Sequence, residues 1–266
     1  MKWSRAIYIY FRLMTQHVKA ILEYQADFWI AMCAAMLTQI LGIVFIWVIF
    51  DQITDIHGWV FWEIAFLYSL VFMSEGVSSF LFNGIWLINS FVNRGEMDRF
   101  LVRPLPPVLQ VASSAFGMNG IGNLAIGIIF LIQSIRHIEM AWTWWQLLLV
   151  VVFVISGVMI RISVNLASNS ISFWTQGPRN SFPMMIHTVS DFVKYPITIF
   201  TGGIQLFVSI AVPYAFISYY PASFLFGKGE DWSWLGMLTP VVAAACLMLS
   251  IRLFNTGLRK YESAGN

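Results

Sequence analysis

Six stretches of this sequence, residues 27–50, 59–86, 109–134, 143–166, 197–219 and 235–255, are strongly apolar and each is about long enough to cross a bilayer. A helix needs about 20 apolar residues to span about 30 Å of hydrocarbon. In lipid only helices and closed barrels satisfy their own backbone polar groups, so runs of this length predict an all-α polytopic membrane protein with six transmembrane helices. Composition agrees, with 59% hydrophobic and 11% charged residues, where soluble domains carry about a quarter charged. The fifth run is the least regular, because Pro196, Pro213 and Pro221 punctuate it.

The basic residues order these spans across the membrane. With a cytoplasmic N-terminus, the inner segments hold Lys2, Arg5, Arg12 and Lys19, then Arg94, Arg99 and Arg103, then Arg161, Arg179 and Lys194, then Arg252, Arg259 and Lys260. The outer loops hold only Arg136 and Lys228. Such an asymmetry predicts cytoplasmic termini. Trp59, Trp62, Trp142, Trp144, Trp145, Trp232 and Trp234 gather at the outer ends, as an interfacial aromatic belt does.

Residues 1–26 are too polar to cross. Ile7, Phe11, Met14, Val18 and Ile21 recur at helical spacing beside a basic stripe of Arg5, Arg12 and Lys19, which predicts an amphipathic helix on the cytoplasmic membrane surface or against a partner. With no compact apolar core and no cleavage site among its charges, this segment reads as mature protein. The chain is thus one membrane domain over 1–266, with the surface helix at 1–26, the bundle at 27–255 and a cytoplasmic tail at 256–266. Cys33 and Cys246 lie inside apolar runs, which speaks against a disulfide framework or a cysteine metal site.

Nothing in the chain has the spacing of a catalytic or nucleotide site. No phosphate-binding glycine loop ending in Lys-Ser or Lys-Thr occurs, no G-x-S-x-G elbow and no H-E-x-x-H helix. The four histidines, His17, His57, His137 and His187, are scattered, so no bound metal or cofactor is expected. The acids inside the spans carry more information. Glu75 falls past the midplane of the second span toward the cytoplasm, and Glu75, Ser79 and Asn83 repeat every four residues as one polar stripe. An intramembrane acid faces a bundle interior or water. The stripe therefore lines a substrate path or a seam with another subunit, or else Glu75 is a buried, hydrogen-bonded neutral acid. Glu63 lies nearer the outer interface and reads as structural. Asn119 with Asn123 and Asn165 with Asn169 also repeat at i, i+4, as helix-bridging amides do, while Ser113 with Gly117 or Ser74 with Ser78 would permit close helix approach.

The stretch NRGEMDRFLVRPLPP, residues 93–107, interrupts the second and third runs with five charges and three prolines. Gly95 marks a break, Glu96 and Asp98 begin a short helix, and Arg99 and Arg103 end it, an order that suits the helix dipole. Pro104 stops it. Met97, Phe100 and Leu101 fall on one face. The spacing predicts a short two-faced helix at the cytoplasmic side, presented to a partner or resting at the headgroups.

GEMDRFLVRP resembles the G-x-[LM]-D-x-x-L-[VL]-[KR]-P signature of type-2 ABC exporter permeases, in particular a bacterial group of uncharacterised or drug-exporting permeases. KYPITIF at 194–200 and VPYAFISYYPASFLFG at 212–227 are similar to that family's Tyr-Pro before the fifth span and proline-punctuated segment after it. By this resemblance residues 95–103 are a cytoplasmic coupling helix between spans 2 and 3, docking in a separate ATPase subunit. The coupling set is Glu96, Met97, Asp98, Arg99, Phe100, Leu101 and Arg103, with Asp98 and Arg99 as polar contacts and Phe100 and Leu101 as docking anchors. Residues 1–24 match the family's connecting helix, and the prolines after the fifth span shape a segment dipping back from the outer face.

The resemblance implies a permease without its own ATPase site. ATP and Mg sit on a partner ABC ATPase, present as two copies or a dimer. A second permease completes the pathway, as a homodimer or, preferably, a heterodimer. The expected location is the bacterial inner membrane, with the lipid bilayer as the other partner and no nucleic acid. Closure of the ATPase pair would switch the permeases between inward- and outward-facing states and export a hydrophobic or cationic small molecule. A polytopic membrane enzyme would need a cluster of acids or histidines at one interface. A self-sufficient secondary transporter acting on lipid-like substrates would need paired broken helices.

Overall fold

The computed structural model describes residues 12, 15, 25–175, 181–228 and 230–262. The surface helix expected over 1–26 falls almost entirely outside them. The order is α1 (Gln25–Phe50), α2 (Phe61–Phe82) continued through a 3-10 turn (Asn83–Leu87) into α3 (Ile88–Asn93), α4 (Asp98–Leu101), α5 (Pro107–Ala112), α6 (Asn119–His137), and α7 (Trp144–Ser170). There follow α8 (Ser172–Thr175), α9 (Ser181–Thr188), α10 (Gly202–Leu206), α11 (Tyr219–Phe226) and α12 (Thr239–Leu258). Among the described residues five helical stretches are long and apolar enough to cross a membrane: 26–50, 61–93, 119–137, 144–175 and 232–258.

The helix that begins at Phe61 is the axis of the bundle, and most of its side chains are buried inside the chain. Its closest neighbour is α6, and glycine makes that contact possible. A Cβ on Gly120 would stand 2.5 Å from the Phe80 backbone nitrogen and 2.6 Å from the Gly76 carbonyl oxygen, and one on Gly76 would stand 2.7 Å from the Leu124 nitrogen. Backbone therefore rests on backbone, the packing that small residues permit where lipid supplies no hydrophobic drive. Amides then tie neighbours together. Asn123 accepts from Gln39 of α1 at 3.1 Å, Asn119 accepts from Ser79 at 3.2 Å, and Asn165 of α7 donates to Ser78 at 3.4 Å. These three fill the bridging role their spacing suggested, whereas Asn169 donates to the Asn165 carbonyl of its own helix.

Two expected spans differ from the structure. The third begins at Asn119 rather than near 109, because Pro106 and Pro107 start a separate short helix, α5, and Ser113 and Ser114 turn their hydroxyls back onto its carbonyls. The Gly117 N–H then donates to the Ser79 carbonyl at 3.0 Å, so residues 113–118 turn against α2. Ser113 and Gly117 thus share no helix.

The run at 197–219 is not one helix. It is cut into a 3-10 turn (Ile197–Ile199), α10, a π turn (Phe207–Ala211) and another 3-10 turn (Tyr214–Phe216) before α11. Pro213 and Pro196 remove helical donors, and Gly202 with Gly203 weakens the start of α10. Its contacts trace a path. His187 meets Glu75, Lys194 lies over Phe72, Tyr195 meets Tyr68, and Ile197 lines one cavity with Trp59, so residues 187–198 climb alongside the axial helix toward its Trp59 end. The chain then drops back until Tyr214 lies under Arg161, and rises again until Phe226 packs on Trp59 and Phe66. A dip and return replaces the expected fifth crossing over 197–219.

Exposed Trp144, Trp145, Trp232 and Trp234 stand at the same end as Trp59, a ring of amphipathic side chains at one interface. Gly120→Leu should drive the axial helix and α6 apart at a cost of about 3 kcal/mol. Thermal unfolding in detergent would show a clearly lower midpoint, with Gly202→Ala as the neutral control, since nothing lies within 4 Å of a Cβ there. Equal midpoints would contradict this account of the packing.

Candidate functional site

Two places in the fold concentrate polar groups, one inside the bundle and one at the end opposite Trp59. The buried one is built around Glu75. Glu75 stands 14 residues into α2 and Arg161 17 residues into α7, about 21 and 25 Å along parallel helices. They meet at that depth, with Arg161 Nη2 3.1 Å from Glu75 Oε2 and the arginine side chain 1% exposed. His187, in the last turn of α9, places Nε2 3.3 Å from the other carboxylate oxygen. One carboxylate thus joins three elements. The guanidinium carbon lies 5.2 Å from the ring centroid of buried Tyr214, at the bottom of the dipping segment.

Arg161 therefore does not belong with the cytoplasmic loop charges where its place in the sequence put it. It lies inside a span, and an opposite charge at the same depth was the signal that could have found it. Glu75, with its side chain 20% exposed, is held by the ion pair with Arg161 and by the contact with His187. Ser79 is buried and bonded to Asn119. Asn83 sits where the α-helix gives way to the 3-10 turn. A half-open apolar groove of 350 Å³ runs between α7, α9, α12 and the dip, lined by residues such as Ser163, Ile186, Val212, Pro213 and Ser250, and none of Glu75, Ser79 and Asn83 lines it.

The second place is the loop after α3. Its helix is a single turn, Asp98–Leu101, with Arg103 outside it. Met97 and Phe100 are fully or nearly buried in a cluster with Ile88, Phe91, Val92, Leu166, Phe173 and Phe254, which come from α3, α7, α8 and α12. They cannot be the surface a partner touches. Burying them fastens the turn to the helix ends. Gln110 completes the attachment, its buried amide donating to the Phe100 carbonyl at 2.9 Å and the Leu105 carbonyl at 2.7 Å. Nothing about an isolated glutamine in an apolar run marked it for this role.

What faces outward is a different set. Val102 is 83% exposed and Leu101 48%. Around them stand exposed Arg94, Asp98, Arg99 and Arg103 and half-buried Glu96. Glu96 pairs with Arg99 at 3.2 Å and with Arg94 at 3.9 Å. The Arg99 guanidinium lies 4.8 Å from the Phe100 ring centroid and 4.9 Å from that of Phe91, roofing the buried aromatic pair. This is a basic surface with two apolar side chains at its centre, on a turn that the helix ends hold rigidly.

Glu63 closes the opposite end. It accepts from the Val60 N–H at 2.9 Å, capping α2, and pairs with Lys228. Among the described residues no three of His, Cys, Asp and Glu come together in a metal-binding group.

The buried pair generates a stability prediction. Removing one member strands a charge, at about 3–5 kcal/mol, whereas apolar replacement of both is nearly neutral. Glu75→Leu and Arg161→Met should each lower the unfolding midpoint sharply, and the double variant should recover most of the loss. Additive losses would contradict the coupling.

No curated protein and no solved structure matches this chain. The profile of the ABC-2 family transporter proteins matches residues 36–265, nearly the whole of it, including the axial helix, the Glu75–Arg161 pair, the turn after α3 and the dipping segment. The chain belongs to the ABC-2 transporter family, a membrane transport component built from apolar helices.

Proposed function

We propose that this protein is the permease subunit of an ATP-driven exporter, worked by a separate ABC ATPase that docks on the turn at 94–103. The observation that carries this reading is the two-sidedness of that turn. Its inner side, Met97 and Phe100, is packed among the ends of α3, α7, α8 and α12, and its outer side offers Leu101 and Val102 ringed by charge. A partner that grips the outer side moves four helix ends at once. ATP and Mg belong to that partner, and two such permeases, as a heterodimer by preference, would enclose the pathway.

The turn is cytoplasmic in this reading, which follows from the excess of Lys and Arg in the segments at that end. Residues 181–199 would add a sixth crossing, fifth in chain order, beside the axial helix, and both termini lie on the cytoplasmic side of a bacterial cell membrane. In this reading the dip at 202–226 enters from the outer face and reaches the depth of Arg161, so movement of α7 or α12 would shift it. Substrate enters as a hydrophobic or cationic small molecule. Glu75 holds α2, α7 and α9 together in one conformational state, and in this role its charge stays with Arg161 rather than with the cargo.

The test separates the two sides of the turn. Arg103→Glu combined with Leu101→Ala should reduce co-purification with the ATPase at least tenfold while leaving the unfolding midpoint of the permease within a degree or two, since exposed substitutions away from buried contacts cost about 0.5 kcal/mol or less. Phe100→Ala should instead lower the midpoint, at about 3–5 kcal/mol for a buried aromatic. Unchanged ATPase binding in the first variant would refute the docking surface.

A further inference from the structure

At the Trp59 end the broken segment leaves a cavity of 660 Å³ between the loop before α2, residues 197–205 and α11. Its size is that of a drug-sized ligand site. Trp59, Tyr219, Tyr220 and Trp232 contribute to its wall, with the Gly58 backbone and Lys228. Lys228 is the informative residue. α11 ends on Gly227 in the left-handed conformation (φ 63°), which turns the chain so that the Lys228 side chain runs back over the cavity wall. Its ammonium donates to the Gly58 carbonyl, pairs with the Glu63 carboxylate and lies 5.4 Å from the Trp59 ring centroid. A carboxylate, a carbonyl and an indole face around one point make a cation site.

We infer that this cavity binds an organic cation, and that Lys228 is a tethered occupant which such a ligand displaces. The inference rests on the proposed transport function and narrows its cargo to cations carrying an apolar or aromatic body. Lysine suits the part of a displaceable occupant, being a compact charge on a flexible stem. Its side chain is 28% exposed, so the ammonium can swing into water without crossing protein, whereas the Glu63 side chain is 10% exposed and fixed by its cap to Val60. Once the ammonium leaves, the place it vacates beside the Gly58 carbonyl, the Trp59 face and the Glu63 carboxylate opens to the cavity whose wall Lys228, Gly58 and Trp59 help to form, and the rings of Tyr219, Tyr220 and Trp232 supply apolar contact for the body of the ligand. A neutral ligand gains only the rings, because nothing neutral replaces the ammonium beside Glu63.

The probe is benzyltrimethylammonium, compared with neopentylbenzene, its neutral isostere with carbon in place of nitrogen. Both are measured by equilibrium dialysis on the full chain in nanodiscs and corrected for partition into empty discs. Lys228→Ala should bind the cation about tenfold tighter than the parent chain, the scale of one desolvated cation–ring contact. Glu63→Gln, which keeps an acceptor for the Val60 N–H and so the helix cap, should bind it about tenfold more weakly. Neopentylbenzene should respond to neither. Unchanged or weaker cation binding in Lys228→Ala, or an equal gain for the neutral isostere, overturns the inference. Binding is read on the permease alone, so a failure here leaves the transport reading intact. Loss of ATPase docking would in turn leave the cation site standing.

Discussion

A carboxylate and a guanidinium placed midway through an apolar bundle each cost several kcal/mol unless they are paired, and Glu75 and Arg161 are paired with each other. The geometry of the bundle follows from that meeting. It sets the register of α7 against α2, since a shift of one turn, about 5.4 Å, would strand both charges. It recruits α9 through His187, and it lays the guanidinium over Tyr214 at the bottom of the dip. The glycine contact between the axial helix and α6 fixes the other side of the same helix. Helix α2 is therefore gripped from two directions by contacts of different physics, ion pairing on one face and backbone apposition on the other.

A helix held in this way transmits displacement. At one end it continues through the 3-10 turn at Asn83–Leu87 into α3 and the turn at 94–103, where Met97, Phe100 and Gln110 remove the slack. At its other end Glu63 pairs with Lys228 from the return of the dip. In the proposed exporter, motion delivered to the turn reaches the opposite interface through one rod whose ends are both attached to moving parts. Allosteric switching needs such a discrete, bistable connection.

Much of this arrangement was legible in the sequence. Long apolar runs marked α1, α2, α7 and α12 within a few residues, the tryptophans marked one interface, and the spacing of Asn119, Asn123 and Asn165 marked bridging amides. The limits had physical causes. Hydropathy reports compatibility with an apolar surround, so residues 109–116, which pack beneath helix ends, looked like those that cross. Prolines at 196, 213 and 221 announced breaks, but a break carries no direction, and the dip to Tyr214 depends on contacts with α7. Arg161 stood close enough to a loop to be counted with it until Glu75 appeared beside it. Periodicity placed Met97, Phe100 and Leu101 on one face, yet it could not say which way the face turned. The structure splits the three, sending Met97 and Phe100 inward and Leu101 outward.

That split is the centre of the account, because it makes the turn a fastening on one side and a docking surface on the other. Site-directed cross-linking reads it directly. In a chain with Cys33 and Cys246 replaced by alanine, single cysteines at 100 and 102 would be loaded with a short photoactivatable maleimide in inside-out membrane vesicles that contain the ATPase subunit. Val102→Cys should react and yield an adduct with the ATPase, while Phe100→Cys should remain unlabelled until the protein is unfolded. Adducts formed through position 100 but not 102, or labelling of Val102→Cys from outside intact cells, would contradict it.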